Sequence, residues 1–383
     1  LALGVLGGLL GLSGDDLCEL AEQKLARKPQ AYREAASTCI RLGVDQQLEC
    51  QLPVPTRGEP GAWYLSGNQA AGLGALEAGI RFVAAYPITP ASDALEWMAG
   101  GLEKVGGQLL QAEDELAAIN MIIGASFGGV PAFTATSGPG LALMTESIGL
   151  AVASETPVTI LNVMRGGPST GIPTKSEQSD LNIALAGLHG DAPHLVLAPL
   201  DIADCVFTTG WAVQLAQSLQ TAAIVLSDQF IGQSTADVSE PRRSAMTVVS
   251  PAPTDGEYLR YKLTESGVSA LAAPGDADHR FTADGLEHNE KGAPSASHSD
   301  HQQQLAKRAD KLQDFDYGDD WARRGGEGAT ALVSFGSSSS AVDEAAEILA
   351  AEGIDTRTLA LRLLAPLPGQ ALLAALAGCD RVV

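Results

Sequence analysis

Four times between residues 80 and 168, an apolar run runs into a short turn that carries a residue with chemistry on it. The first run, residues 80–85, leads into Tyr86-Pro-Ile-Thr-Pro-Ala-Ser92 and then a helical pattern over 93–105. Two prolines bracket Thr89, fixing φ, removing backbone donors and pushing the residues ahead of them out of the helical region. The second unit, 107–111, opens on Ala112-Glu-Asp-Glu115 and an apolar helix over 116–127. The third, 132–136, opens on Ser137-Gly-Pro-Gly140 and a helix over 141–153, and the fourth, 158–163, ends on Met164-Arg-Gly-Gly-Pro168. Strands alternating with helices of this length predict βαβ units and a parallel sheet. The near-continuous apolar character of 158–163 is that of a strand covered on both faces. Right-handed crossovers put the carboxyl ends of such strands on one edge. Thr89, Glu113, Ser137 and Arg165 are therefore expected around one crevice.

Breaks in this pattern give the organisation. Residues 1–50 read as helical, with Gly11-Leu-Ser-Gly14 as a turn and Asp15 as the cap of the helix after it. Residues 51–62 carry three prolines and read as a linker. The βαβ domain is expected over 63–238, with later strands at 195–198 and 222–227. An extended polar connector follows over 239–326, helical near 302–312, with its histidines, His298 and His301 among them, solvated. A second α/β unit occupies 327–383: strand 331–335, the turn Gly336-Ser-Ser-Ser-Ser340, helix 341–352 and strand 356–361. The chain stops inside what reads as another strand, and its first residues read as a helix cut into, so a longer parent chain is expected.

A formal charge of −22 argues against a nucleic-acid or anionic-membrane surface, which needs clustered Lys and Arg. The five cysteines are scattered without C-x-x-C spacing, which argues against an iron–sulfur or zinc site on this chain and suits a reducing cytoplasm. No basic region precedes the apolar residues 1–12, which are also too short to span a bilayer.

Each candidate has a plainer reading beside it. Glu113, at a strand end against an apolar helix, is expected to be partly desolvated and to partner a heterocycle nitrogen that must gain a proton. Equally, Glu113, Asp114 and Glu115 suit first-turn charges on a helix dipole, worth ~0.3–1 kcal/mol each. Arg165, fixed by the sheet, suits two-pronged binding of a carboxylate. Lys175, in the Ser/Thr-rich loop up to Asp180, suits either a second anionic group or a solvated surface. Ser137-Gly-Pro-Gly140 can offer backbone N–H groups to a ligand, or serve as an ordinary turn. Gly72-Leu-Gly74 lacks a third glycine and a preceding strand, so helix packing is expected there rather than dinucleotide binding.

Together, Tyr86 to Ser92, Gln111-Ala-Glu113, Thr136 to Gly140, Asn162 to Lys175 and Gly285-Leu-Glu-His-Asn-Glu-Lys-Gly292 resemble the alpha subunit of 2-oxoacid:ferredoxin oxidoreductases, most nearly its 2-oxoglutarate branch. The likeness covers residues 63–383, and residues 1–50 resemble the tail of a gamma domain fused ahead of alpha in some members. The resemblance implies a thiamine diphosphate pyrimidine-binding domain followed by a transketolase C-terminal-like α/β domain. It implies cofactor contacts at Glu113, Tyr86, Pro87, Ile88, Ser137 and Gly138, and catalytic roles for Glu113, Thr89 and Arg165. Glu113 bonds the pyrimidine nitrogen in that scheme. Thr89 and Arg165 hold the 2-oxoacid, and Lys175 meets a distal carboxylate, as 2-oxoglutarate requires and pyruvate does not. Coenzyme A is the co-substrate. A beta subunit is expected to bring the pyrophosphate and Mg2+ site, the [4Fe-4S] cluster and the ferredoxin dock, in an (alpha-beta)2 cytoplasmic assembly.

Overall fold

The apolar runs do form a parallel sheet. In the computed structural model, which describes residues 1–46, 61–253 and 256–383, the strands are β1 Trp63–Ser66, β2 Phe82–Ala85, β3 Gln108–Gln111, β4 Ala132–Thr136, β5 Val158–Met164, β6 Leu195–Leu197 and β7 Ala222–Asp228. They are followed by β8 Thr235–Val238, β9 Ala322–Gly325, β10 Thr330–Phe335, β11 Thr356–Leu361, β12 Leu363–Ala365 and β13 Arg381–Val382. The main sheet has the order β12-β6-β7-β5-β4-β2-β3, parallel throughout except for β12. Its central strands β4, β5 and β7 are buried along their whole length, as helices on both faces require. β1 pairs antiparallel with β8, so the two ends of the expected 63–238 domain close on each other.

Strand order reverses between β2 and β4. From β2 the chain moves out to β3, then returns past β2 to β4 and continues to β5. Ligands of open α/β sheets bind at the carboxyl edge of such a reversal.

The chain divides into the units Leu1–Pro60 and Gly61–Val383. In the first, helices Ala2–Leu9, Gly14–Lys24 and Gln30–Val44 surround a small core of Leu17, Cys18 and Ile40. A Cβ at Gly4 would lie 2.0 Å from the Ile40 carbonyl oxygen, so glycine is what lets these helices cross. The cap of the second helix is Ser13, whose hydroxyl accepts from Asp15 and Asp16 N–H, not Asp15. The shorter reach of a serine from the extended residue ahead of the helix suits that position. The linker expected over 51–62 lies, but for its last two residues, outside the described residues.

Two expectations for the later chain are corrected. The 327–383 unit is not self-contained. Its own sheet, β13-β10-β11-β9, passes the chain straight from β11 through Arg362 to β12, which joins the main sheet beside β6. Arg362 is clamped there by Asp204, with Nη2 donating to Oδ1 at 2.7 Å.

The connector is not uniformly solvated either. His298 and His301 are exposed, but His288 is buried with its ring 3.8 Å from that of Tyr261, and His194 is buried as well. Helix His298–Gln313 buries Gln304, Lys307, Arg308, Lys311 and Leu312. Lys307 and Lys311 donate to opposite oxygens of the wholly buried Glu155, at 2.6 and 2.9 Å. Arg260 donates to the Glu155 carbonyl at 2.8 Å and to Gln220 Oε1 at 3.0 Å. Glu155 and Gln220 follow the ends of helices Gly138–Ala153 and Asp204–Leu219, where carbonyl dipoles favour cations. Burial alone would raise the Glu155 pKa. Lys311, Lys307 and Arg260 outweigh it and hold the carboxyl well below the usual carboxylate range. Lys307 itself is brought down to about 8, because burial and two cationic neighbours oppose the pull of Glu155.

Candidate active site

The residues singled out above do converge on the carboxyl edge. Across the strand order β5-β4-β2-β3 stand Arg165, Ser137, the 86–92 turn and Glu113. The turn is held from below. Its Thr89–Pro90 bond is cis, and Asn68 Nδ2, buried on helix Gly67–Glu77, donates to the Pro90 carbonyl at 2.8 Å. Tyr86, Pro87 and Thr89 are exposed on the rim and Ile88 is half-buried.

Arg165 behaves differently from a free carboxylate fork. It is buried, Nη1 donates to the Thr89 carbonyl, and Nη2 donates to the Thr170 carbonyl at 2.7 Å. Among the described residues its Nε is buried without a partner. The guanidinium thus ties the β2 turn to the 166–180 loop, with part of its donor capacity unspent. That loop is closed by Gly166 N–H donating to the Lys175 carbonyl at 3.0 Å and Gly167 N–H to Glu177 Oε2 at 2.9 Å. Lys175 therefore sits in the backbone beside Arg165, with its side chain exposed.

The partial desolvation expected of Glu113 is absent from the single chain, where its side chain is exposed, while its neighbour Glu115 is 7% exposed. Asp114 caps the helix, accepting from Ala117 N–H at 2.7 Å, so the buried stripe of helix Glu115–Phe127 begins at Glu115 and recurs at Ala118, Ile119, Ile122, Ile123 and Ser126. The Glu115 side chain packs against Gly140, where a Cβ would stand 2.1 Å from Thr136 Oγ1 and 2.8 Å from Glu115 Oε1, so glycine is what lets Thr136 and Glu115 fit there. Among the described residues Glu115 accepts no hydrogen bond. Ser137, wholly buried nearby in sequence, leaves its Oγ unpaired. That helical phase was readable from sequence: Glu115 sits at i of an i, i+3, i+4, i+7, i+8 apolar series.

A reversing parallel sheet whose carboxyl edge gathers Arg165, Ser137, the 86–92 turn and Glu113 has the form of the ligand-binding part of an α/β enzyme. Residues 73–307 match the family described as "Pyruvate flavodoxin/ferredoxin oxidoreductase, thiamine diP-bdg". The 2-oxoglutarate synthase subunit KorA of Methanothermobacter marburgensis is 36% identical over 315 residues, 80% of this chain and 82% of that protein. KorA of Archaeoglobus fulgidus is 39% identical over 307 residues, again 80% and 82%. A solved 2-oxoglutarate:ferredoxin oxidoreductase from Magnetococcus marinus, with 2-oxoglutarate, coenzyme A and succinyl-CoA bound, superposes with a TM-score of 0.86 at 39% identity, over all of this chain and 68% of that one. The chain belongs to this pyruvate/2-oxoacid flavodoxin or ferredoxin oxidoreductase family and is an oxidoreductase subunit, with the family's thiamine diphosphate-binding domain. No helix among the described residues is long and apolar enough to cross a membrane.

Proposed function

We propose that this chain is the alpha subunit of a thiamine diphosphate-dependent 2-oxoglutarate:ferredoxin oxidoreductase. The reaction joins 2-oxoglutarate, coenzyme A and oxidised ferredoxin to give succinyl-CoA, CO2 and reduced ferredoxin, and runs in either direction. The observation that carries the reading is the convergence of Glu113, Ser137, Arg165 and the Thr89 turn on the carboxyl edge, at the reversal of an oxidoreductase-family sheet. Glu113 is exposed there and accepts no hydrogen bond among the described residues. The ring nitrogen of an aminopyrimidine would supply a donor to it, so the site fits that half of thiamine diphosphate. When bound, the cofactor provides the nucleophilic carbon and the electron sink.

Glu113 is assigned to the pyrimidine nitrogen, with which it would share a proton, and the buried Glu115 packs against Gly140. Tyr86, Pro87, Ile88, Ser137 and Gly138 are assigned to the walls of the site. Arg165 orients Thr89 through the Thr89 carbonyl and adds positive charge beside the bound 2-oxoacid. Lys175 meets the distal carboxylate. A partner subunit is assigned the pyrophosphate, Mg2+, the [4Fe-4S] cluster and ferredoxin docking, in an (alpha-beta)2 complex in the cytoplasm. Exposed Tyr86 and Leu116 beside the site, with Met121 and Leu143 on the two helices that flank it, suit a covering surface of that kind.

The test is viologen reduction by the chain with its partner subunit, with thiamine diphosphate, Mg2+ and coenzyme A, on 2-oxoglutarate and pyruvate in parallel. Turnover of 2-oxoglutarate that E113Q abolishes is expected. Loss in E115Q with activity kept in E113Q would move the role to Glu115. Turnover of pyruvate alone would sink the Lys175 assignment.

A further inference from the structure

The 166–180 loop ends on a carboxyl that the proposed chemistry does not use. Asp180 is 9% exposed. Asn162 Nδ2, wholly buried on β5 three residues before Arg165, donates to its Oδ2 at 2.8 Å. On its other side the carboxyl lies against the first turn of helix Gly138–Ala153, where a methyl on Gly138 would stand 2.5 Å from Oδ1. One side chain thus touches both strand-end elements that flank the site. Two of the loop's other ties, Ser176 Oγ to Gln229 Oε1 at 2.6 Å and Gly167 N–H to Glu177 Oε2 at 2.9 Å, are exposed and compete with water, while Arg165 Nη2 to the Thr170 carbonyl and Gln178 Nε2 to the Phe335 carbonyl are half-buried. A buried tie does not compete with water. Ser179 Oγ meanwhile donates to the Arg165 carbonyl at 3.1 Å, so movement of Asp180 is felt at Arg165.

We propose that Asp180 is a positioning residue of this site: by joining Asn162 to the Gly138 turn it fixes the loop that carries Lys175 past Arg165. The inference rests on the substrate reading above for its kinetic consequence, though not for the anchor itself. Burial raises the Asp180 pKa, with Glu177 adding to this, against the pull of Asn162, Ser179 and Arg165. Among the described residues, Asn162 Oδ1 is buried without a partner. An amide at 180 keeps the acceptor that Asn162 Nδ2 uses and adds a donor for that free oxygen.

D180A and D180N, each in the complex with the partner subunit, separate the outcomes. In D180A, amide exchange across residues 166–179 is expected to quicken about tenfold, as loss of one buried hydrogen bond implies. The KM for 2-oxoglutarate should rise by a similar factor while kcat changes less. In D180N both should return towards wild type. Unaltered exchange and KM in D180A would overturn the proposal. So would a fall of kcat and melting temperature in both variants without a loop-specific change in exchange, which marks a purely structural residue. If the wild-type complex turns over neither 2-oxoacid, the substrate reading fails and the exchange comparison still decides whether Asp180 anchors the loop.

Discussion

The two ends of helix Gly138–Ala153 face opposite problems. Its first turn lies at the carboxyl edge of the sheet, where Glu113 is exposed and accepts no hydrogen bond among the described residues. Past its last turn, Glu155 is wholly buried and is met by two lysines and, through its carbonyl, an arginine. One carboxylate is left for a ligand to complete, and the other is completed by the protein. Saturated charge makes a joint, and unsaturated charge makes a site.

Removing charge at the joint should therefore cost stability and spare chemistry. E155Q leaves two buried ammonium groups facing a neutral amide, and breaking a buried pair in this way costs about 3–5 kcal/mol. Urea or thermal unfolding of the complex should show that loss, with turnover at low temperature near wild type. The pH dependence carries a sign. The folded pKa of Glu155 is depressed, so the unfolded chain binds the extra proton first as pH falls. The contribution is fully present above the ordinary value of 4.5 and is lost progressively below it. Wild type should weaken more steeply than E155Q over that acid range. Parallel curves would mean that the lysines are satisfied some other way.

At the open end the pattern should invert. E113Q is expected to lower kcat/KM about 10³-fold, within the range for losing a positioned proton-transfer group, with a melting temperature close to wild type. If E113Q instead unfolds the chain and activity tracks stability, the contrast between the two ends collapses, because Glu113 would then be a second joint.

The same contrast explains what was legible in the sequence. The strands were, because burial on both faces writes them as continuous apolar runs. Arg165, Ser137 and the Thr89 turn were placed because each falls at a strand end, and parallel topology alone sends strand ends to one edge. The burial of Glu115 depends on the phase of its helix, and the apolar stripe 118, 119, 122, 123, 126 already pointed at it. The connector resisted for a different reason. Helix His298–Gln313 buries Gln304, Lys307, Arg308 and Lys311, so its inward face is polar and hydropathy reads it as a solvated helix. Their partners, Glu155 and Glu287, lie far away or in irregular chain, and no spacing rule links them. β12 escaped as well, since three residues directly after another strand give no signal of a change of sheet.

The smallest effect concerns Lys175, which is exposed where Glu155 is buried. Its backbone is fixed beside Gly166, but its ammonium is in water and pays little desolvation on meeting an anion. A charge-assisted contact in that setting is screened, so K175Q should raise the KM for 2-oxoglutarate by about tenfold and leave kcat nearly alone. It should also leave pyruvate, which has no second carboxylate, unaffected. Raising the ionic strength should shrink the wild-type advantage towards the variant, since exposed pairs separated by more than a Debye length of about 8 Å at physiological salt are largely screened. A salt-independent difference would mean that the partner subunit covers Lys175 and that this cation, too, belongs to a closed surface.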